Sequence, residues 1–92
     1  MAEDQKERKV RYSKKFLKAA ARLPERIILQ VEQKEKVFRI DPFHPSLKTH
    51  KLSGREKETW AFWINDSYRI KFIFLPNQEV LFLDIGTHKI YK

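Results

Sequence analysis

The sequence predicts an α+β domain, β-α-α-β-β-β, in which a helix hairpin packs on a small antiparallel sheet. Three observations carry this. Apolar residues recur at helical spacing through the first half of the chain. The stretch Asp41-Pro42-Phe43-His44-Pro45 then ends the helical part, because proline lacks the amide hydrogen a helix needs. Beyond it the apolar period drops to two and aromatic and β-branched residues take over.

Each element has its own signal. Residues 9–12 alternate weakly and predict a short first strand. Ser13 is a helix N-cap residue, since its hydroxyl accepts from an unpaired amide of the first turn. Phe16, Leu17, Ala20, Ala21 and Leu23 mark one face of the first helix, with Lys14, Lys15, Lys18 and Arg22 on the other. Pro24 suits the first turn of a second helix and Glu25 favours its N-terminus. Ile27, Ile28, Val31 and Phe38 continue the stripe to about Arg39, so the two helices share an apolar side.

Residues 59–65 read as a strand with Trp60, Phe62 and Ile64 on one face. Asp66-Ser67 is a turn. Residues 68–75 form a strand with Tyr68, Ile70, Phe72 and Phe74 on one face, and Pro76-Asn77 is a second turn. Residues 80–85 are almost continuously apolar, which predicts a central strand. The only glycines, Gly54 and Gly86, are expected where the chain changes direction. A two-residue turn at Asp66-Ser67 sets Asn65 opposite Tyr68, Ile64 opposite Arg69 and Phe62 opposite Lys71. The expected result is an open face carrying Arg69, Lys71 and several aromatics. Aromatic planes beside cations hold nucleotide bases, although an ordinary solvated sheet face has the same composition.

With 92 residues the chain is about one domain. Residues 1–8 read as a polar, frayed N-terminus and 9–92 as a single domain. Apolar residues at 41% and aromatics at 13% exclude disorder by composition. The absence of cysteine excludes disulfides and thiolate zinc sites, and points to a reducing cytoplasm. No apolar run approaches the ~20 residues of a membrane span, and the first residues lack the apolar stretch of a secretory signal. The net charge is +8, with 12 basic and 6 acidic residues in 1–40 but 8 and 6 in 41–92. That excess suggests a polyanion or an acidic protein as partner.

The residues able to carry chemistry are few. His44, His50 and His88 stand at no metal-ligand spacing, and no metal or other cofactor is expected. There is no serine triad, phosphate-binding glycine loop or dinucleotide fingerprint. Asp84, inside an apolar strand, needs a hydrogen-bonding partner.

Four blocks in order carry a resemblance. They are Leu47-Lys48-Thr49-His50-Lys51-Leu52-Ser53-Gly54, Trp60-Ala61-Phe62-Trp63-Ile64-Asn65, Tyr68-Arg69-Ile70-Lys71-Phe72 and Asp84-Ile85-Gly86-Thr87-His88. Together with the helical half, they resemble the RelE/ParE superfamily of bacterial toxins from type II toxin–antitoxin pairs. The resemblance covers residues 9 to 91 or so, and is nearest to the YafQ/RelE-like branch.

It implies a cytoplasmic toxin that cuts mRNA on the ribosome without a metal. The substrate's 2′-hydroxyl would attack the scissile phosphate. Its partners would be a cognate antitoxin, the ribosome and mRNA, with no membrane, and the free toxin would be a monomer or weak homodimer. It carries the phosphate-contacting arginine onto Arg69, histidines onto His50 and His88, and a C-terminal aromatic onto Tyr91. Lys48, Lys51, Arg55, Lys71 and Lys89 are the candidate RNA contacts around them. Histidines titrate near neutral pH and suit both proton transfers; His50 as base and His88 as acid is the favoured assignment, and the departures from the family pattern leave it open. The chain departs from the family pattern where Trp60 and Phe62 replace lysines, and where Ile64 and Tyr68 replace the YafQ-like branch's second histidine and aspartate. The spacing from His88 to Tyr91 is one residue short. Two alternatives remain: a non-catalytic ParE-like toxin that inhibits DNA gyrase, and a basic RNA-binding module.

Overall fold

A computed structural model describes residues 7–54 and 58–91, the side chains of His88 and Tyr91 excepted. Among these residues the order is β1 (Lys9–Tyr12), α1 (Lys14–Ala21), α2 (Glu25–Ile40), a 3-10 turn (Pro45–Leu47), β2 (His50–Lys51), β3 (Trp60–Trp63), β4 (Tyr68–Leu75), β5 (Glu79–Thr87) and a second 3-10 turn (His88–Tyr91). The predicted α+β class holds: two helices pack on one sheet, whose strand order is β1-β5-β4-β3-β2. Two details of topology differ from expectation. The sheet has a fifth strand, β2, whose two residues are too short to show a period. And β1 pairs with β5 in parallel, a connection that needs a long crossover, here supplied by the intervening elements.

Ser13 makes the first corner. Its hydroxyl accepts from the Phe16 amide at 3.0 Å, capping α1, and donates to the Leu83 carbonyl at 2.9 Å. Its own amide donates to the Phe82 carbonyl at 3.0 Å. One residue therefore ends β1, starts α1 and ties both to β5. It does so at a β-bulge: Lys71 pairs with Asp84 but Phe72 pairs with Phe82, leaving Leu83 unpaired. The bulge lets Phe82 and Ile85 both point into the core.

That core is aromatic. Phe38 of α2 is fully buried and meets Phe62, Phe72 and Phe82, with ring centroids at 4.6, 4.9 and 5.5 Å. Ile27, Val31 and Phe16 complete the helical side. At the edge of α2, the Tyr12 hydroxyl donates to Glu35, which also accepts from Arg39 Nη2 at 2.8 Å. Burial, and then the Glu35 contact, pushes the Tyr12 hydroxyl above its ordinary pKa, so it stays a donor. The expectation that residues 1–8 fray falls largely outside the described residues. Arg8, however, is tied down: its amide donates to the Arg39 carbonyl at 2.8 Å.

The hairpin register is one residue off the expected one. Trp63 pairs with Arg69, Phe62 with Ile70 and Ala61 with Lys71. The turn is Asn65-Asp66-Ser67, three residues long, closed by the Ile64 amide on the Tyr68 carbonyl at 2.9 Å. The reason is the Asn65 side chain. Its Oδ1 accepts from the amides of Ser67 and Tyr68, both at 2.8 Å, an Asx turn that adds a residue to the loop. Phe62 and Ile64 therefore lie in the core, not beside the cations.

Replacing Phe38 with alanine should cost about 3–5 kcal/mol, since it removes an aromatic ring from a site with no exposure. Leu29→Ala, on a residue 55% exposed in the same helix, should stay within about 0.5 kcal/mol. Urea unfolding followed by circular dichroism measures both. Equal losses would mean that the packing described here is wrong.

Candidate active site

Alternation sends one side of each strand into the core and the other outward. With Phe62, Ile70 and Ile85 buried, the opposite side carries Ala61 and Trp63 from β3, Arg69 and Lys71 from β4, and Gly86 from β5. One cross-strand row runs His50, Ala61, Lys71, Asp84, and the next runs Trp63, Arg69, Gly86. His50 and Lys71 are therefore two strands apart, about 10 Å across the sheet.

Arg69 is nearly enclosed, with 9% of its surface exposed. Its Nη1 donates to the Asn65 carbonyl at 2.8 Å and the Tyr68 carbonyl at 3.3 Å. Its guanidinium carbon lies 3.7 Å from the centroid of the Trp63 ring. The same indole takes a second cation: Lys48 Nζ is 4.2 Å from that centroid. Lys48 comes from a different part of the chain, the end of the Pro45–Leu47 turn. There it holds a left-handed backbone, φ 51° and ψ 40°, a conformation costly for a residue with a Cβ. Leu47, fully buried, anchors the turn, and the Thr49 hydroxyl bonds the Pro42 carbonyl behind it.

Lys48 also positions His50. Its carbonyl oxygen is 3.0 Å from His50 Nδ1. A carbonyl only accepts, so Nδ1 carries the proton in this bond and the neutral ring has its lone pair on Nε2.

The C-terminal turn folds back onto this face. Lys71 Nζ donates to the Ile90 carbonyl at 3.2 Å. A Cβ at Gly86 would lie only 2.6 Å from Ile90 Cγ2, so the site needs glycine. Gly86 thus sits inside β5, not at a change of direction, and its role is close approach. Thr87 pairs with Tyr68, so His88 leaves the sheet beside the start of β4. The side chains of His88 and Tyr91 lie outside the described residues, as does Arg55 entirely. Lys89 is exposed on the same turn.

The other sequence-derived candidates are scattered. Lys51 is away from Arg69: it pairs with Trp60, and its Nζ is 6.0 Å from that ring, within the Phe43–Trp60–Phe74 cluster. His44 bonds Ser46 within its own turn. Asp84 finds partners in the Ile85 amide, at 2.9 Å, and in Lys15, at 3.4 Å. With Lys14, Lys18 and Arg22, Lys15 lines an open basic cleft of about 430 Å³ along α1. Among the described residues no three His, Cys, Asp or Glu side chains are grouped to hold a metal ion. Sequence reasoning missed Trp63, which the two-residue turn had set on the wrong side of the sheet, and it missed Ile90.

Gly86→Ala should destabilise the chain by about 1–3 kcal/mol through overpacking. Ile90→Ala in the same chain should relieve it, giving a coupling above about 0.5 kcal/mol in a double-mutant cycle of urea midpoints. Strictly additive effects would mean that the turn does not lie over Gly86.

No family model matches the chain, and no curated protein sequence matches it. Solved structures do. A chain of the toxin–antitoxin complex RelBE2 from Mycobacterium tuberculosis superposes with a TM-score of 0.76 at 17% identity, covering 89% of this chain and 99% of that one. The YoeB/ParE toxin from Agrobacterium tumefaciens gives 0.75 at 15% identity, covering 87% and 98%. A chain of the E. coli DinJ–YafQ toxin–antitoxin complex gives 0.69 at 19%, covering 91% and 96%. The chain has the fold of RelE/ParE-type toxins over nearly its whole described length.

Proposed function

We propose that this chain is the toxin of a toxin–antitoxin pair and an endoribonuclease that cuts mRNA on the ribosome. One observation carries the reading: Lys48 joins a basic nitrogen to a pair of cations, with His50 bonded to its carbonyl and its ammonium sharing Trp63 with Arg69. A proton acceptor and two positive charges on one sheet face are what 2′-hydroxyl attack on a phosphodiester requires. The toxin fold supports it independently, as do a net charge of +8 and the basic cleft along α1, a second surface for an RNA backbone. Among the described residues no helix is long and apolar enough to cross a membrane.

In this reading His50 Nε2 takes the 2′-hydroxyl proton. The 2′ oxygen bonds to phosphorus, and the bond to the 5′ oxygen breaks. His88, leaving β5 next to the start of β4, gives that oxygen its proton. The products are a 2′,3′-cyclic phosphate and a 5′-hydroxyl. Arg69 and Lys48 neutralise the charge that builds on the phosphate oxygens. Lys71 and Lys89 hold the flanking backbone, and Tyr91 is the C-terminal aromatic that the family resemblance adds to the site. In this reading the ribosome supplies the orientation of the strand, which a small sheet face leaves to its partner. A cognate antitoxin, acidic or amphipathic, is the protein partner. The near-complete burial of Arg69 favours a second reading, a non-catalytic toxin that binds DNA gyrase.

His50→Gln should lower the single-turnover cleavage rate on programmed ribosomes by ~10²-fold or more with near-normal ribosome binding. Arg69→Ala and His88→Ala should do the same, and naked mRNA should be cut far more slowly. Equal cleavage of naked and ribosome-bound mRNA would contradict ribosome dependence. Growth inhibition that survives His88→Ala would favour the gyrase reading. Co-expression with the adjacent open reading frame should give a stable complex on size exclusion and restore growth.

A further inference from the structure

Two like charges are brought to one aromatic ring by different parts of the chain, and nothing in the core requires it. Arg69 arrives from β4, opposite Trp63 in the sheet. Lys48 arrives from the turn before β2, in a strained left-handed conformation. Their distances from the ring, 3.7 and 4.2 Å, cap the separation of the charges at about 8 Å. Unassisted, the two cations would repel. The π-electrons of the ring draw each of them in, and the Asn65 and Tyr68 carbonyls fix the guanidinium through Nη1. Any separation within that cap is short enough for charge-assisted bonds of about 2.8 Å to reach oxygens of one phosphate.

We propose that Trp63 is a positioning residue whose indole seats Arg69 and Lys48 as a two-cation site for a single phosphodiester. The inference rests on the proposed function in taking Arg69 as the phosphate contact, and it goes further in assigning the seat to Trp63. Trp63 touches no reacting atom. It sets where the two positive charges wait, and the cost of gathering them is met in folding rather than at the moment of RNA binding. The left-handed backbone at Lys48 is the other half of the device, because it aims one residue's ammonium at the ring while its carbonyl holds His50.

The test uses a short, fluorescein-labelled RNA whose sugars are 2′-O-methylated, so that it binds but cannot be cut. Its affinity for the full chain is measured by anisotropy across about 0.05 to 0.2 M salt. Trp63→Leu should weaken binding by about tenfold and flatten the slope of log affinity against log salt by about 0.7, the value of one single-strand phosphate contact. A purely structural role would shift the unfolding midpoint without changing that slope. Lys48→Gln should weaken binding similarly, and the double variant should be little worse than either, because both remove the same seat. Trp63→Phe, which keeps a ring with weaker cation attraction, should lose only about threefold.

If Trp63→Leu proves unfolded by circular dichroism, Trp63→Phe and Lys48→Gln carry the test, and unchanged affinity in both overturns the seat. Tighter binding in Trp63→Leu would also overturn it, since the ring would then be holding Arg69 away from RNA. Because the oligonucleotide cannot react, the two proposals fail separately. Wild-type protein that binds through Trp63 but never cuts mRNA keeps the seat and loses the nuclease. Protein that cuts mRNA while Trp63→Leu binds normally loses only the seat.

Discussion

Phe38 is the contact on which the arrangement of the sheet depends. Its ring is fully buried and touches one phenylalanine from each of β3, β4 and β5: Phe62, Phe72 and Phe82. Three strands are thereby told which side is inside. Period-two alternation does the rest. Once Phe62 and Ile70 face α2, Trp63, Arg69 and Lys71 must face away, so the polar face is a consequence of the aromatic core.

That outward face is built to hold charge close to charge. Arg69 is almost as enclosed as the core residues, yet it carries a full positive charge, and burial of an unpartnered guanidinium would be prohibitive. Two backbone carbonyls and the Trp63 ring compensate. The Ile90 turn closes the neighbouring position over Gly86 and receives the Lys71 ammonium. Rigid strands therefore fix Arg69 and Lys71, the edge strand β2 carries His50, and the connections to either side deliver Lys48 and the C-terminal turn.

Much of this was legible in the residues, and the errors have physical causes. The helix hairpin, its Ser13 cap and the apolar faces of the three long strands follow directly from spacing. The register did not follow, though the pattern held the information. The core residues of this region up to the bulge, Phe62, Ile64, Ile70, Phe72, Val80 and Phe82, are all even-numbered, and only loops with an odd number of residues pair even with even. Both hairpins obey, turning through residues 65–67 and 76–78. A turn preference for two residues is weaker than the burial of Phe62 and Ile64, and the Asn65 side chain supplies the third residue. The bulge at Leu83 then switches the buried set to Ile85, which reads in sequence as an apolar run broken only by Asp84. Strand β2, with two residues, and the seating of Lys48 on Trp63 depend on tertiary contacts that no local pattern encodes. The family resemblance supplied the candidate positions Arg69, His50 and His88; the geometry added Trp63 and the tautomer of His50.

The central claim is that this face cuts a phosphodiester by way of the 2′-hydroxyl. The chemistry of the RNA ends tests it most directly. RNA from cells briefly expressing the chain is mapped for 5′-hydroxyl ends and for 2′,3′-cyclic phosphates, beside cells expressing Arg69→Ala. The account predicts new 5′-hydroxyl ends within translated frames, matched by cyclic phosphates one nucleotide upstream, and none with Arg69→Ala. Growth arrest with intact mRNA, or cuts that leave 5′-phosphates, would contradict it.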